Sequence, residues 1–123
     1  MADSEAERYF AREMIQGSDR LQREISYNPQ RFRQMIAEHG AVGAVRRLLQ
    51  GSNASDGFTT LWEHRRLEMS CEAIALLPWY ASSFSAEELE TARYRLTQHE
   101  FDVDAFLYRM SASPPSWFDE GSH

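Results

Sequence analysis

The sequence predicts an all-α protein, a compact single-domain bundle of about six or seven short helices. Apolar residues recur at steps of three and four, and helix start signals precede several of these stretches. No stretch alternates apolar and polar residues between hairpin turns. With 123 residues, of which 42% are hydrophobic, the chain is large enough for one core. We expect this helical domain to comprise residues 1–110.

The first helix is predicted from a capping-box pattern near the beginning of the chain. Ser4 is followed three residues later by Glu7, so a helix is expected from about Glu5. Tyr9, Phe10, Met14 and Ile15 give this helix an apolar stripe. Gly17 and Ser18 then permit a break or a kink.

The next two helices are predicted on either side of a glycine. Asn28 is a candidate cap and Pro29 suits the first helical position, where its missing N–H is not needed. This helix should end at Gly40, because glycine tolerates the left-handed conformation. The apolar face from Val42 to Leu49 predicts a further helix, which ends at a turn-rich loop over residues 51–57.

Four short helices are predicted in the remaining part of the chain. Phe58 to Arg65 is a short amphipathic stretch, and Ser70 begins a segment that ends near Pro78. Ser85 and Glu88 repeat the capping-box pattern, which makes this the clearest helix start in the sequence. Asp102 is expected to cap the last helix.

The C-terminal residues differ in composition from the rest of the chain. Residues 111–123 are rich in serine, proline, glycine and acids, which predicts a flexible acidic tail. Trp117 and Phe118 are the exception, and we expect them to dock onto the helical domain. Core packing is also the expectation for Trp62 and Phe84.

The compartment is predicted from three features. The N-terminal residues are acidic and contain no apolar segment, so no secretory signal is expected. The longest apolar stretch, Ala73 to Leu77, is too short to cross a membrane. A single cysteine, Cys71, suits a reducing compartment. Together these features predict a cytoplasmic protein with no membrane partner.

Charge is distributed unevenly along the chain. Residues 31–66 contain six arginines and three acids, whereas residues 67–123 contain three arginines and ten acids. The two charge excesses either cancel within one fold or leave a basic face for an anionic partner. The two outcomes predict different functions.

The leading functional hypothesis is a non-enzymatic protein–protein interaction or accessory module. Arginine and large aromatic residues are the side chains that most often dominate protein interfaces. The partner is expected to be another protein or a second copy of the chain, as in a homodimer. The predicted contact residues are Arg46, Arg47, Arg65, Arg66, Trp79 and Tyr80.

Nucleic-acid binding is the alternative. The order of segments from Phe32 to Arg66 is similar to that of a helix-turn-helix, with the arginine-rich segment 31–66 directed at phosphates. Thr59, Thr60, His64, Arg65 and Arg66 would then face the DNA. Two features oppose this hypothesis. The connection between the helices is longer than the usual turn, and the net charge is −6.

A third hypothesis is an enzyme. Cys71 would be a nucleophile if a histidine lay beside it. His64, Glu68 and Glu72 would share a face, and present ligands to a metal, only if one helix ran through all three. No paired cysteine motif, His-Glu-x-x-His motif or glycine-rich phosphate loop is present. The sequence therefore predicts no catalytic residue, no cofactor and no metal.

Residues 40–96 also resemble an uncharacterised family of small bacterial proteins and appended domains. The resemblance implies a bacterial helical module that is sometimes joined to other domains, which favours interaction over catalysis; it implies no activity. It is carried by packing and capping residues, namely Arg47-Leu48-Leu49, Gly57-Phe58-Thr59-Thr60-Leu61-Trp62, Arg66-Leu67, Ser70, Glu72-Ala73, Phe84-Ser85, Glu88-Leu89, Ala92-Arg93 and Arg95-Leu96.

Overall fold

A computed structural model describes residues 2–118 of the chain. This part of the chain forms six α-helices and no strand, which confirms the predicted all-α class. Two 3₁₀ helices, Leu67–Met69 and Ala81–Ser83, lie among them. None of the described helices combines the length and the apolar character that a membrane span requires. The α-helices are α1 (Ala2–Ile25), α2 (Gln30–Gln50), α3 (Asp56–Glu63), α4 (Cys71–Ala75), α5 (Ala86–Gln98) and α6 (Val103–Ser111).

Helix α1 is continuous, so the predicted break at Gly17 and Ser18 is wrong. The Ser18 hydroxyl donates to the Met14 carbonyl at 2.9 Å, a bond that a serine makes without leaving the helix. Phe10 and Leu21 on the same helix are buried, so packing on both sides of Gly17 holds it straight. The helix also begins earlier than expected, at Ala2.

Helix α2 is divided at Gly40, where the predicted helix end lies. Gly40 has φ 76° and ψ 163°, a conformation that is essentially restricted to glycine. The half before it, residues 30–39, contributes no buried side chain, whereas the half after it contributes four, Ala41, Ala44, Val45 and Leu49. Only the second half belongs to the core. The predicted cap also differs, because Asn28 accepts from Arg33 Nε at 2.9 Å and makes no cap bond.

The four shorter helices begin at side-chain caps. Ser55, Ser70, Ser85 and Asp102 each accept a hydrogen bond from the backbone N–H three residues later, at 3.0 to 3.2 Å. Three of these caps confirm the prediction, as does the reciprocal bond of the capping box, from Ser85 N to Glu88 Oε1 at 2.9 Å. Ser55 begins α3 two residues before the predicted start at Phe58.

Trp117 and Phe118 dock onto the helices, as predicted. The Trp117 ring stacks on Tyr9 at a centroid distance of 4.6 Å, and Phe118 lies 5.8 Å from Trp79. Packing therefore continues past residue 110, the predicted domain limit. Of the predicted acidic tail, residues 119–123 lie outside the described part of the chain.

A buried guanidinium group connects three helices. Arg95 of α5 donates to the carbonyls of Leu48 and Gly51 at 2.9 and 2.7 Å, at the C-terminal end of α2. The same group lies 3.4 Å from the carboxylate of Glu72 on α4. Arg95 is 7% exposed and Glu72 is 1% exposed. Arg95 thus satisfies terminal carbonyls of one helix and the buried charge of another.

Glu88 provides a second connection between α2 and α5. Its carboxylate accepts from Gln50 Nε2 at 2.7 Å and pairs with Arg46 at 3.0 Å, in addition to its role in the capping box. Burial acts to raise the pKa of Glu88, but the bonds from Ser85, Gln50 and Arg46 outweigh burial, so the pKa is lowered. The two connections fix the second half of α2 against α5.

Alanine substitution should have opposite effects at Gly17 of α1 and at Gly40 of α2. Gly17→Ala is expected to stabilise the protein by about 0.5 to 1 kcal/mol, because Gly17 is helical and its added Cβ meets no atom within 4 Å. Gly40→Ala is expected to destabilise it by about 1 to 3 kcal/mol through backbone strain alone, since its Cβ also meets nothing. Urea unfolding of both variants measures the difference. Equal effects would contradict the assigned conformation of Gly40.

Arg95 and Arg46 both connect α2 with α5, but their substitution should lower the free energy of unfolding by different amounts. Arg95→Ala is expected to cost about 3 to 5 kcal/mol of the free energy of unfolding, because it leaves the buried Glu72 without its partner. The matched variant is Arg46→Ala, whose side chain is 49% exposed; we expect it to cost no more than about 1 kcal/mol. Thermal unfolding compares them, and an equal loss would show that the burial of the Arg95 pair is unimportant.

Candidate functional site

The four arginines predicted as partner contacts fall into two groups. Arg46 pairs with Glu88, and Arg66 pairs with Glu24 of α1 at 2.6 Å. Arg47 and Arg65 are exposed and form no ion pair with any described residue. The basic segment is therefore partly neutralised inside the fold and partly free.

The two predicted aromatic contacts lie in the core, which corrects the expectation that they face a partner. Trp79 is 6% exposed and Tyr80 is 2% exposed. The Tyr80 hydroxyl donates to Glu13 at 2.7 Å, and burial together with this carboxylate raises the pKa of Tyr80. Phe118 packs against Trp79, and Trp117 packs against Tyr80. Neither side chain presents a contact surface in the single chain.

Cys71 has the surroundings of an unreactive thiol. Its Sγ donates to Glu72 Oε1 at 3.3 Å, and burial followed by this neighbouring carboxylate raises its pKa well above the ordinary value. Cys71 is the first residue of α4 and Arg95 acts to lower its pKa, but burial and Glu72 outweigh these influences, whereas a cysteine nucleophile needs surroundings that favour the thiolate. The geometry therefore does not support the enzyme hypothesis at Cys71.

The proposed metal ligands do not share a helix face. His64 ends α3, Glu68 lies in the first 3₁₀ helix, and Glu72 is buried in α4. The continuous helix that this hypothesis required is absent. Residues 2–118 contain no other group of three or more histidine, cysteine or acidic side chains placed to hold a metal ion.

Trp62, for which core packing was expected, is one of three exposed large aromatic residues in the described chain, with Tyr94 and Tyr108. Phe58 and Leu61 form the buried face of α3. Trp62 follows Leu61 in the same helix, and 47% of its surface is exposed. Phe84, with 7% exposure, is buried as expected. Trp62 is therefore a candidate contact residue, although the sequence predicted that it would pack in the core.

The surface around Trp62 is formed where α3 ends. Arg65 follows the helix in the left-handed conformation, with φ 58°. Its N–H donates to the Trp62 carbonyl at 3.1 Å, and the Arg66 N–H donates to the Leu61 carbonyl at 2.7 Å. These two bonds form a Schellman motif, which usually has glycine at the left-handed position.

Helix α5 ends beside it with the same motif. Glu100 has φ 61°, and its N–H donates to the Thr97 carbonyl at 3.0 Å. The Phe101 N–H completes the motif at the Leu96 carbonyl, also at 3.0 Å. Two helices thus end on one part of the surface, each with a charged residue in the position that favours glycine.

His99 holds the two helix ends together. Its Nδ1 lies 2.9 Å from the Arg95 carbonyl. Its ring meets Phe58 and Trp62 edge to face, at centroid distances of 4.8 and 5.1 Å. Trp62 is consequently exposed but fixed on one side by a ring that is itself anchored to α5.

These residues line a shallow groove of about 560 Å³, which we name the Trp62 surface. Its apolar wall consists of aromatic and aliphatic side chains, and its charged residues are one arginine, Arg65, and three acids. A groove of this kind can hold an apolar side chain against indole and can attract a cation to the carboxylates. The lining residues are Trp62, Glu63, Arg65, Leu67, Glu68, His99, Glu100 and Phe101.

Comparisons of the chain with protein families, with curated proteins and with solved structures find no match. The similarity of residues 40–96 to a family of bacterial helical proteins therefore stays a prediction. Function has to be argued from the geometry of the chain itself.

The two left-handed positions predict stabilising substitutions. Arg65→Gly and Glu100→Gly should each stabilise the protein by about 0.5 to 1 kcal/mol, because glycine adopts a positive φ at no steric cost. Glu90→Gly, at an exposed position in the interior of α5, is the control and should destabilise by a similar amount. Chemical denaturation measures all three, and destabilisation by Arg65→Gly would argue that the Arg65 side chain contributes more than its backbone strain costs.

Proposed function

We propose that this protein is a non-enzymatic protein–protein interaction module that binds its partner at the Trp62 surface. The observation that carries the proposal is an indole that is 47% exposed and yet packs edge to face against His99 on one side. Tryptophan and arginine are the residues most enriched among those that dominate interface energies, and here Trp62 and Arg65 line the same groove. A fixed side chain loses little entropy when a partner covers it.

The charges of the Trp62 surface indicate the character of the partner. Glu63, Glu68 and Glu100 outnumber the single Arg65. A partner that places lysine or arginine at the rim and an apolar side chain in the groove would complement this arrangement. The net charge of −6 on the whole chain attracts the same kind of partner at longer range.

The nucleic-acid alternative has less support from the geometry. Arg65 would be a phosphate contact, but it lines the groove together with three carboxylates that repel phosphate. Arg46 and Arg66 already pair with Glu88 and Glu24.

Bacterial origin and a cytoplasmic location remain part of the proposal, supported by the sequence features described above.

Substitution of Trp62 tests the proposal. Wild-type protein and Trp62→Ala are immobilised separately and exposed to native extract, and the retained proteins are quantified by mass spectrometry. We expect one set of basic proteins to be retained by the wild type and reduced at least tenfold by Trp62→Ala, because the variant removes the apolar contact. Sedimentation of both proteins shows whether the partner is instead a second copy of the chain.

Tyr94→Ala is the matched control, since Tyr94 is an exposed aromatic residue, 65% accessible, that does not line the Trp62 surface. It should retain the same proteins as the wild type. A strictly monomeric wild type with no retained protein would sink the proposal. Retention that Tyr94→Ala loses and Trp62→Ala keeps would move the interface to another face, and retention that nuclease treatment abolishes would favour nucleic acid.

A further inference from the structure

A second, larger opening lies on the described chain, away from the Trp62 groove. It is a cleft of about 1100 Å³, lined by residues of α1, of both halves of α2 and of the loop before α3, with α4 and α6 also contributing. The wall provided by residues 30–39 comes from the half of α2 that contributes no buried side chain. One side of the cleft is therefore formed by a helical segment, residues 30–39, whose apolar side chains Phe32 and Ile36 are only partly buried.

The cleft is lined by nearly all the methionines of the chain. The sequence contains five, and Met14, Met35, Met69 and Met110 all line it. Methionine side chains are flexible and polarisable, so they adapt to apolar ligands of irregular shape. They come from four different elements, and only the tertiary fold brings them to one place.

The deep part of the cleft reaches the core of the protein. Its lining includes residues with almost no exposed surface, namely Ser70 and Glu72 at 1%, Phe58 at 2% and Leu21 at 5%. An α-helix with its side chains is about 10 to 12 Å wide and needs a trough whose walls are already open. A small molecule can reach residues of such low exposure, whereas a partner helix of that width cannot do so without displacing the elements that cover them.

The charges around the cleft almost cancel. Three guanidinium groups and four carboxylates line it, and Arg95 compensates the deepest carboxylate, Glu72. The free cations at the rim, Arg31 and Arg47, are matched there by Asp56 and Glu68. The site therefore offers neither the excess of donors that a phosphate needs nor the excess of carboxylates that a cation needs.

We propose that this cleft binds an uncharged, mainly apolar small molecule, a compact ring system or a short hydrocarbon chain. The volume of about 1100 Å³ lies just above the roughly 300 to 1000 Å³ that is usual for small-molecule sites. Uncharged polar side chains of the lining, among them Tyr27, Asn53 and Ser55, are available to orient the ligand. The cleft and the Trp62 surface share one lining residue, Glu68, and the cleft does not depend on the proposed function of the Trp62 surface.

A substitution that fills the cleft tests the proposal without weakening the fold. Gly17 lines the cleft, and a Cβ added there meets no atom within 4 Å, so Gly17→Leu should place its side chain in the open space. Leucine is also a better helix former than glycine, so this variant should be more stable than the wild type. Nile red, an uncharged apolar dye, serves as the probe, and its fluorescence measures binding to the full chain.

We expect the wild type to bind one molecule of Nile red and Gly17→Leu to bind it at least tenfold more weakly. Arg23→Leu, which adds the same side chain to α1 outside the cleft, should bind like the wild type. Met35→Glu is a second variant, because it places a charge at a half-buried position in the lining; it should also weaken binding at least tenfold.

Three results would overturn the proposal. The first is that the wild type binds no dye, and the second is that Gly17→Leu and Met35→Glu bind the dye as tightly as the wild type does. The third is that Nile red displaces a polypeptide from protein isolated from native extract. Native mass spectrometry of that protein identifies what it carries, and a small apolar molecule that Nile red displaces would support the proposal. Retention of basic proteins by Trp62→Ala and the wild type is measured separately, so either proposal can fail while the other stands.

Discussion

The buried guanidinium group of Arg95 is the constraint on which the arrangement of the helices depends. It reaches the last carbonyls of α2 through Leu48 and Gly51 and the carboxylate of Glu72 on α4, while its own backbone belongs to α5. A helix end inside a protein must find partners for carbonyls that have no N–H within the helix. Arginine suits this role because its donors are several, planar and permanently charged. The contacts of Arg95 thus connect the end of α2 and the buried carboxylate of α4 to α5.

The uneven distribution of charge along the sequence is partly balanced by ion pairs between neighbouring segments of the fold. Arg46 meets Glu88 of the acidic half, whereas Arg33 and Arg66 meet acids of α1, Asp19 and Glu24. The basic middle of the chain is thus divided among neighbours and does not form one continuous basic face from its own residues. A count of charges along the chain therefore overestimates the number of arginines that are free to bind an anionic partner.

The aromatic residues are divided in a way that matters for function. Trp79 and Tyr80 were predicted at an interface and are instead buried with Phe10, beneath the docked residues Trp117 and Phe118. Trp62 was expected in the core and is half exposed. A binding surface and an apolar cleft therefore lie at places that composition alone did not indicate.

The sequence identified the local starts and stops of most helices. Side-chain caps at Ser70, Ser85 and Asp102 and the backbone change at Gly40 are decided by interactions within four residues, so they can be predicted without knowledge of the fold. The helix ends at Arg65 and Glu100 were not predicted at their left-handed residues, because neither is the glycine that usually marks such a position. No sequence signal distinguishes these two from other charged residues.

What the sequence by itself determined is the all-α class, the use of hydroxyl and carboxylate caps, and the docking of Trp117 and Phe118. The tertiary structure alone decided that α1 runs straight through Gly17, that Arg95 and Glu72 form a buried pair, and that four distant methionines line one cleft. The physical reason is range. Caps and turns are short-range hydrogen bonds, whereas burial and charge pairing depend on which distant segments meet when the core forms.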